Sequence, residues 1–153
     1  MIIERVLEEE RKSQIAKEIL NSLPEWFGIP ESTQEYIEGC KNKPFWAAKV
    51  NEQAVGFICL KECSKYTAEV YVMGTKKEQH QQGIGRKLFA ELYDYAKEHG
   101  YEFLQVKTVE QGRYKEYDCT NLFYKSVGFK EFECFPTLWD EFNPCQVYVM
   151  HVE

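Results

Sequence analysis

A β-prone segment that leads through a glycine-containing turn into a long amphipathic helix constrains this chain more than any other stretch. Residues 69–75 are rich in Val and Tyr, a polar connection covers 76–80, and Gly83 and Gly85 flank the start of the helical pattern. Helical spacing follows in the apolar residues Ile84, Leu88, Leu92 and Tyr95. The pattern predicts a strand–turn–helix unit whose first helical turn presents backbone N–H groups.

Those N–H groups and the positive end of the helix dipole favour a phosphate or diphosphate ligand. Gly83 and Gly85 allow a ligand to approach the backbone, and Arg86 adds a positive charge. An ordinary tight turn is the other interpretation of the two glycines. The chain lacks the Gly-x4-Gly-Lys-Ser/Thr loop of nucleotide-binding proteins, and Arg86 stands where a dinucleotide fingerprint needs its third glycine. Neither nucleotide motif fits.

Composition predicts one domain over residues 1–153 with a substantial apolar core. The chain has 153 residues, of which 44% are hydrophobic and 15% aromatic. Its net charge of −6 argues against nucleic acid as a partner. An acidic surface is compatible with a cationic, amine-bearing acceptor, although acidic chains are common.

The cysteines predict reduced thiols rather than disulfides or a metal site. The six Cys residues form no Cys-x-x-Cys pair and no Cys/His spacing typical of metal ligands, so no metal is expected. The N-terminus carries no apolar signal segment, and no apolar run approaches the ~18 residues of a membrane span. We therefore expect a cytoplasmic protein with no membrane partner.

Apolar periodicity and turn residues predict a mixed α/β fold. The predicted elements are an edge strand over 1–7, a helix over 8–23, a short helix over 33–38, strands over 45–50, 54–60 and 66–73, the long helix, a strand over 103–108, a helix over 118–126, and strands over 128–134 and 145–152. The strand over 103–108 should pair in parallel with the strand over 66–73, because a βαβ unit joins them.

Three details of this prediction depend on single residues. Ser32 is the expected N-cap of the short helix, and Asp118 or Thr120 is the expected N-cap of the last helix. The aromatic, proline-containing segment 135–144 is predicted to be a long loop. Trp26 and Phe27 lie on another predicted loop, where they either line a cleft or pack into the core.

The segment His80-Gln81-Gln82-Gly83-Ile84-Gly85 resembles the acetyl-CoA signature of the GNAT acetyltransferases, with His where that family usually has Arg or Gln. The segment from Asn121 to Phe129 resembles the second motif of the family, which ends in Gly-Phe. The resemblance covers roughly residues 45–130. It implies the GNAT fold: a mixed, mostly antiparallel sheet of six to seven strands flanked by about four helices.

The resemblance also implies roles for particular residues. The acetyl-CoA co-substrate would be bound through Gln81, Gln82, Gly83, Ile84, Gly85 and Arg86, and through the main chain of Val72, Met73 and Thr75, where the Met73 amide would polarise the thioester carbonyl. Asn121 would contact the pantetheine arm, and Tyr124 would be the general acid near the sulfur. Glu69 lies 14 residues before Gly83, where the histone acetyltransferase branch of the family keeps its general base.

The function that the resemblance implies is transfer of an acetyl group from acetyl-CoA to a primary amine by direct attack in a ternary complex. A covalent intermediate on Cys119 or Cys145 is a mechanistic variant. The alternatives are a non-catalytic acyl-CoA sensor and a protein lysine or N-terminal acetyltransferase. The acceptor, a small-molecule or peptide amine, stays open, and a homodimer is compatible because homodimers are frequent in families of this layout.

Overall fold

The computed structural model describes all 153 residues, Met1–Glu153. Seven strands and four α-helices follow one another in the order β1 (Ile2–Val6), α1 (Glu9–Asn21), α2 (Pro30–Gly39), β2 (Phe45–Val50), β3 (Gln53–Glu62), β4 (Thr67–Thr75), α3 (Ile84–Glu98), β5 (Phe103–Val109), α4 (Lys115–Ser126), β6 (Lys130–Asp140) and β7 (Asn143–His151). Short 3-10 helices cover Cys40–Asn42 and Lys77–Gln79. None of the helices combines the length and the apolar character needed to cross a membrane.

The strands form one seven-stranded sheet in the order β1-β2-β3-β4-β5-β7-β6. Strand β4 pairs in parallel with β5 over Thr67–Glu69, whereas β1–β2, β2–β3, β5–β7 and β6–β7 are antiparallel. The predicted fold class, a mixed and mostly antiparallel sheet with four helices, is confirmed. The predicted parallel pairing across the βαβ unit is confirmed as well.

The chain divides into two compact units, and each is described by itself. The first unit comprises Met1–Lys61 and Tyr71–Tyr95, and the second comprises Glu62–Val70 and Ala96–Glu153. The prediction that the whole chain acts as one domain stays a prediction.

Helix α1 supplies much of the core of the first unit. Its buried residues Ile15, Ile19 and Leu20 belong to the same apolar cluster as Phe45 and Phe57, whose rings stack with centroids 5.1 Å apart. A Cβ at Gly74 would lie 3.2 Å from Ile19 Cγ2, so the missing side chain lets α1 approach β4 closely. The last third of β4 is thereby fixed against α1.

In the second unit, β5 and β7 carry the buried residues that support α4. Leu104 and Val106 on β5 and Tyr148 on β7 are almost fully buried. The ring of Tyr148 lies 6.4 Å from that of Tyr124 on α4. Gly128, with a φ of +116°, ends the turn after α4 before β6 begins.

The segment 135–144, predicted to be a loop, is instead mostly strand. Strand β6 continues to Asp140, and β7 starts at Asn143 after a two-residue turn. The loop predicted for this aromatic, proline-containing segment is therefore wrong. In the sheet order β6 is an edge strand, and its register with β7 is irregular between Phe135 and Asp140, so the stretch that contains Pro136 departs from the regular ladder.

The predicted helix caps were also wrong. Helix α2 begins three residues earlier than predicted because Pro30 occupies its first turn, so Ser32 lies inside the helix. Helix α4 begins at Lys115, and Asp118 accepts a hydrogen bond from Gly112 N at 2.7 Å, closing the preceding loop instead of capping the helix. The Thr120 hydroxyl donates back to the carbonyl of Glu116 at 3.3 Å.

Candidate active site

The predicted diphosphate-binding turn lies in the first unit, at the start of α3. Gly83 has a φ of +79°, and a Cβ added to it would meet no atom within 4 Å. The Lys87 N–H donates to the Gly83 carbonyl at 3.1 Å, so Ile84 and Gly85 precede the first α-helical hydrogen bond of α3. Backbone donors and open space therefore meet at one point, which is the arrangement that a diphosphate group needs.

His80 connects this turn to the end of β4. Its Nε2 lies 2.6 Å from the Thr75 carbonyl oxygen, and because a carbonyl can only accept, Nε2 is the protonated donor. The rings of His80 and Trp26 pack edge to face with a centroid distance of 5.7 Å. The residue that differs from the usual motif thus has a structural role in the loop.

Two ion pairs join the connection between β4 and α3 to Glu18 on α1 and to Glu25 in the segment after α1. Lys76 Nζ lies 2.7 Å from Glu18 Oε1, and Lys77 pairs with the Glu25 carboxylate. The Lys76 N–H also donates to the Val55 carbonyl at 2.8 Å. Both lysines face carboxylates, and Arg86 is exposed in the first turn of α3, beside the turn that is predicted to bind the diphosphate.

The residues predicted to pair with pantetheine lie in the last part of β4. Val72 is buried, whereas Met73 and Thr75 are half-buried. Gln81 has a positive φ of +63°, and the Gln82 amide donates to the Glu78 carbonyl at 3.3 Å. The first unit therefore contains Val72, Met73, Thr75 and all of the residues from Gln81 to Arg86 that were predicted to bind the co-substrate.

Glu69, the predicted base, lies in the second unit with its side chain 8% exposed. Its Oε1 accepts a hydrogen bond from Gln105 Nε2 at 2.6 Å and lies 3.5 Å from Lys107 Nζ. The Cys63 sulfur is 3.9 Å from the same oxygen and accepts from Gln105 Nε2 at 3.5 Å. Donors and a cation thus contact a buried carboxylate.

Tyr124, the predicted acid, is buried in α4 with 6% of its surface exposed. Its ring contacts those of Phe129 and Tyr148 at centroid distances of 5.8 and 6.4 Å. These aromatic neighbours fix the plane of the ring and the direction of its hydroxyl. A tyrosine held in this way can give a proton at a defined position.

Asn121 is fully buried, and its side chain is tied to the protein on both sides. Nδ2 donates to the carbonyls of Val109 and Tyr117 at 2.9 and 2.7 Å, and Oδ1 accepts from the Tyr148 hydroxyl at 2.5 Å. These bonds fasten α4 to β5 and β7. The predicted contact between Asn121 and pantetheine stays a prediction, and both amide hydrogens already have acceptors in the chain.

Cys119 and Cys145 differ in their environments. Cys145 is fully buried, and burial raises the pKa of its thiol to about 11, so it stays protonated at neutral pH. Cys119 is exposed on α4. A nucleophilic cysteine requires a thiolate, which the setting of Cys145 disfavours.

The sequence-based reasoning missed Gln105, Lys107 and Tyr148 as neighbours of the predicted site residues. A parallel pairing of β4 with β5 was expected, and the register that sets Gln105 opposite Glu69 would have found two of them. Tyr148 becomes a neighbour only through the antiparallel pairing of β7 with β5, for which the sequence gives no register signal.

Known proteins resemble this chain in sequence and in fold. The model of the acetyltransferase (GNAT) family matches residues 15–129. The Xenopus laevis protein named "Probable N-acetyltransferase camello" is 26% identical over 123 residues, which cover 69% of this chain and 54% of the relative. The chain thus spans about half the length of this curated relative.

Two solved structures have the same fold. A GNAT-family protein from Desulfovibrio desulfuricans has a TM-score of 0.83 at 17% identity, with 99% of each chain covered. A GNAT acetyltransferase from Elizabethkingia anophelis, solved with acetyl-CoA bound, has a TM-score of 0.74 at 17% identity and covers 98% of this chain and 97% of its own.

Because the family model matches well over half of the sequence, the chain belongs to the acetyltransferase (GNAT) family. The resemblance seen in the two motifs is thereby confirmed. The predicted enzyme class, an acetyl-CoA-dependent acetyltransferase, is confirmed at the level of the family.

Proposed function

We propose that this chain transfers the acetyl group of acetyl-CoA to a primary amine by direct attack within a ternary complex. The observation that carries the proposal is the start of α3 in a GNAT-family chain. There Gly83 opens onto space that no atom fills, beside the N–H groups of a helix N-terminus. The diphosphate of acetyl-CoA fits this position, with Arg86 as its cation, and acetyl-CoA supplies the acetyl thioester.

Glu69 and Tyr124 supply the proton transfers in this proposal. An acceptor amine arrives as an ammonium ion, and Glu69 takes one proton so that the nitrogen has a free electron pair. The main-chain amide of Met73 donates to the carbonyl oxygen, which gains negative charge as the nitrogen adds to the acetyl carbon.

The carbon–sulfur bond then breaks, and Tyr124 gives its proton to the departing sulfur. The second proton of the amine returns the phenol to its neutral form, directly or through water. The products are the acetylated amine, free CoA and the proton held by Glu69, which passes to solvent. Charge and atoms balance without any further reactant.

The function is tested by measuring the thiol released from acetyl-CoA, with and without a panel of polyamines, aminoglycosides, amino acids and short peptides. At least one amine should raise the release of thiol. Tyr124→Phe should lower kcat about 100-fold or more, the ordinary effect of a general acid, with little change in KM for acetyl-CoA. Tyr66→Phe, which removes an exposed hydroxyl outside the site, serves as the control.

The outcomes separate the proposal from its alternatives. If CoA binds tightly and no amine raises thiol release, the chain is an acyl-CoA sensor and the enzymatic proposal is wrong. If only peptides with a lysine or a free N-terminus raise release, the acceptor is a protein. If Tyr124→Phe matches Tyr66→Phe, Tyr124 is not the acid.

A further inference from the structure

We propose that Gln105 and Lys107 on β5 are positioning residues that keep the Glu69 carboxylate ionised and turn it through Oε1 toward β5, which leaves Oε2 to accept the proton of the amine. The inference rests on the proposed function, because it assigns partners to the base of that reaction. Neither residue belongs to the two motifs through which the chain resembles its family.

The β4–β5 register brings the three side chains together. Glu69 lies opposite Gln105 in the parallel ladder, and side chains of paired residues point to the same face of a sheet. Lys107 follows two positions later on β5 and therefore projects from that same face. The buried residues Leu104, Val106 and Thr108 occupy the alternate positions of β5.

The contacts of Glu69 converge on one oxygen. The Gln105 amide at 2.6 Å, the Lys107 ammonium at 3.5 Å and the Cys63 sulfur at 3.9 Å all approach Oε1. A carboxylate as buried as this one would be costly to ionise without such partners. With them, one oxygen is fixed and the carboxylate has a single orientation.

Among the charged or titratable groups near Glu69, Lys107 provides the cation that contacts the carboxylate. The Cys63 thiol comes from the β3–β4 connection, and Cys145 from β7 lies within electrostatic range. Burial raises the pKa of Cys145 to about 11, so it carries no charge near neutral pH. In the β5–β7 ladder the residues opposite Gln105 and Lys107 are Val149 and Val147, which bring no charge.

The decisive measurement follows the titration of Glu69 directly. Glutamate labelled with ¹³C at the carboxyl carbon is observed by NMR in the full chain, and Glu69→Gln identifies the Glu69 signal. Lys107→Met should move the titration midpoint of that signal upward by about one pH unit, the usual effect of losing one nearby opposite charge. Lys107→Arg should keep the midpoint of the wild type, because it retains the positive charge. Gln105→Leu should move the midpoint upward, as Lys107→Met does.

Lys41→Met is the matched control. Lys41 lies 3.4 Å from Glu10 and has a side chain 27% exposed, against 35% for Lys107, so its loss removes an equivalent charge far from β5 in sequence. It should leave the midpoint unchanged. The slow hydrolysis of acetyl-CoA in the absence of an amine provides the kinetic readout, since water then replaces the acceptor. The acidic limb of the pH profile of this hydrolysis should move with the midpoint in Lys107→Met and Gln105→Leu.

Two results separate a failure of this inference from a failure of the proposed function. If Glu69→Gln slows hydrolysis but Lys107→Met and Gln105→Leu leave both the midpoint and the limb in place, the positioning role alone is wrong. If Glu69→Gln leaves the rate and its pH profile intact, Glu69 is not the base, and the positioning proposal is overturned with it. Far-UV circular dichroism confirms that each variant is folded, and Lys107→Arg provides a conservative test of the same position.

Discussion

Replacing Gly83 by alanine separates backbone strain from the loss of a ligand, because the chain contains a matched position. Gly83 and Gly100 both have a φ of +79°, and at both an added Cβ would meet no atom within 4 Å. An L-residue in this left-handed region costs about 1–2 kcal/mol. Gly83→Ala and Gly100→Ala should therefore lose similar free energies of unfolding. For a chain of this size, each kcal/mol lowers Tm by about 2–4 °C.

Only Gly83→Ala should weaken the binding of CoA. Its methyl group enters the space in which the proposed diphosphate approaches the backbone, and one hydrogen bond to a charged group is worth about 1.5–3 kcal/mol. Because each 1.4 kcal/mol corresponds to a factor of ten, Kd for CoA should rise about 10- to 100-fold. Isothermal titration calorimetry with CoA measures this change directly, and differential scanning fluorimetry measures the loss of Tm in the same samples.

Equal Kd values for the two alanine variants would refute the reasoning. Gly83 would then serve only the turn, as an ordinary glycine at positive φ does, and the diphosphate site would have to lie elsewhere. A larger loss of Tm in Gly83→Ala than in Gly100→Ala would point to a backbone contact at Gly83 that the structure does not contain.

Two further predictions concern stability. Tyr148→Phe should cost about 1–2 kcal/mol at pH 7, because the buried Asn121 Oδ1 loses its donor. Burial raises the pKa of Tyr148 from 10.0 to about 12. The folded chain therefore keeps the phenol proton up to about pH 12, whereas the unfolded chain releases it above pH 10. The stability from this group is present below pH 10 and is lost toward pH 12, and urea unfolding at pH 8 and pH 11 should show a smaller alkaline loss in Tyr148→Phe. A matching loss in variant and wild type would contradict this. Burial lowers the pKa of Lys12, whose Nζ donates to the Lys43 carbonyl at 2.7 Å. The unfolded chain therefore binds the Lys12 proton more tightly, and wild type should gain stability as the pH rises toward the unfolded value of about 10.4, a gain that guanidinium unfolding should find absent in Lys12→Met.

Strong local signals made most of the fold predictable from the sequence. The 3.6-residue spacing from Ile84 to Tyr95 predicted α3, and the short β-prone runs beside it predicted β4 and β5. The errors arose where tertiary structure overrides a local rule. Pro136 lies in an edge strand whose register with β7 is irregular between Phe135 and Asp140, and no local pattern specifies either the strand order or that irregularity.

The candidate site was predictable only where it follows the chain. Gly83, Gly85 and Arg86 lie within four residues of one another, so spacing alone brought them together. Gln105 and Lys107, two of the partners of Glu69, come from a strand that lies more than 30 residues later, and their contact depends on a register that no local pattern specifies. Residues that orient a catalytic base are for this reason harder to find from the sequence than residues that bind a phosphate.

Strand β6 has a consequence for how this protein behaves at high concentration. Its 11 residues lie at the edge of the sheet, and the side chains of Phe132, Leu138 and Trp139 are exposed. Such an edge is a template for adding strands from other molecules. Pro136 removes one of the donors that an incoming strand would need, and the neighbouring charges Lys130, Glu131 and Glu133 repel close packing. Proline and charged residues at this edge therefore oppose the addition of strands from other molecules.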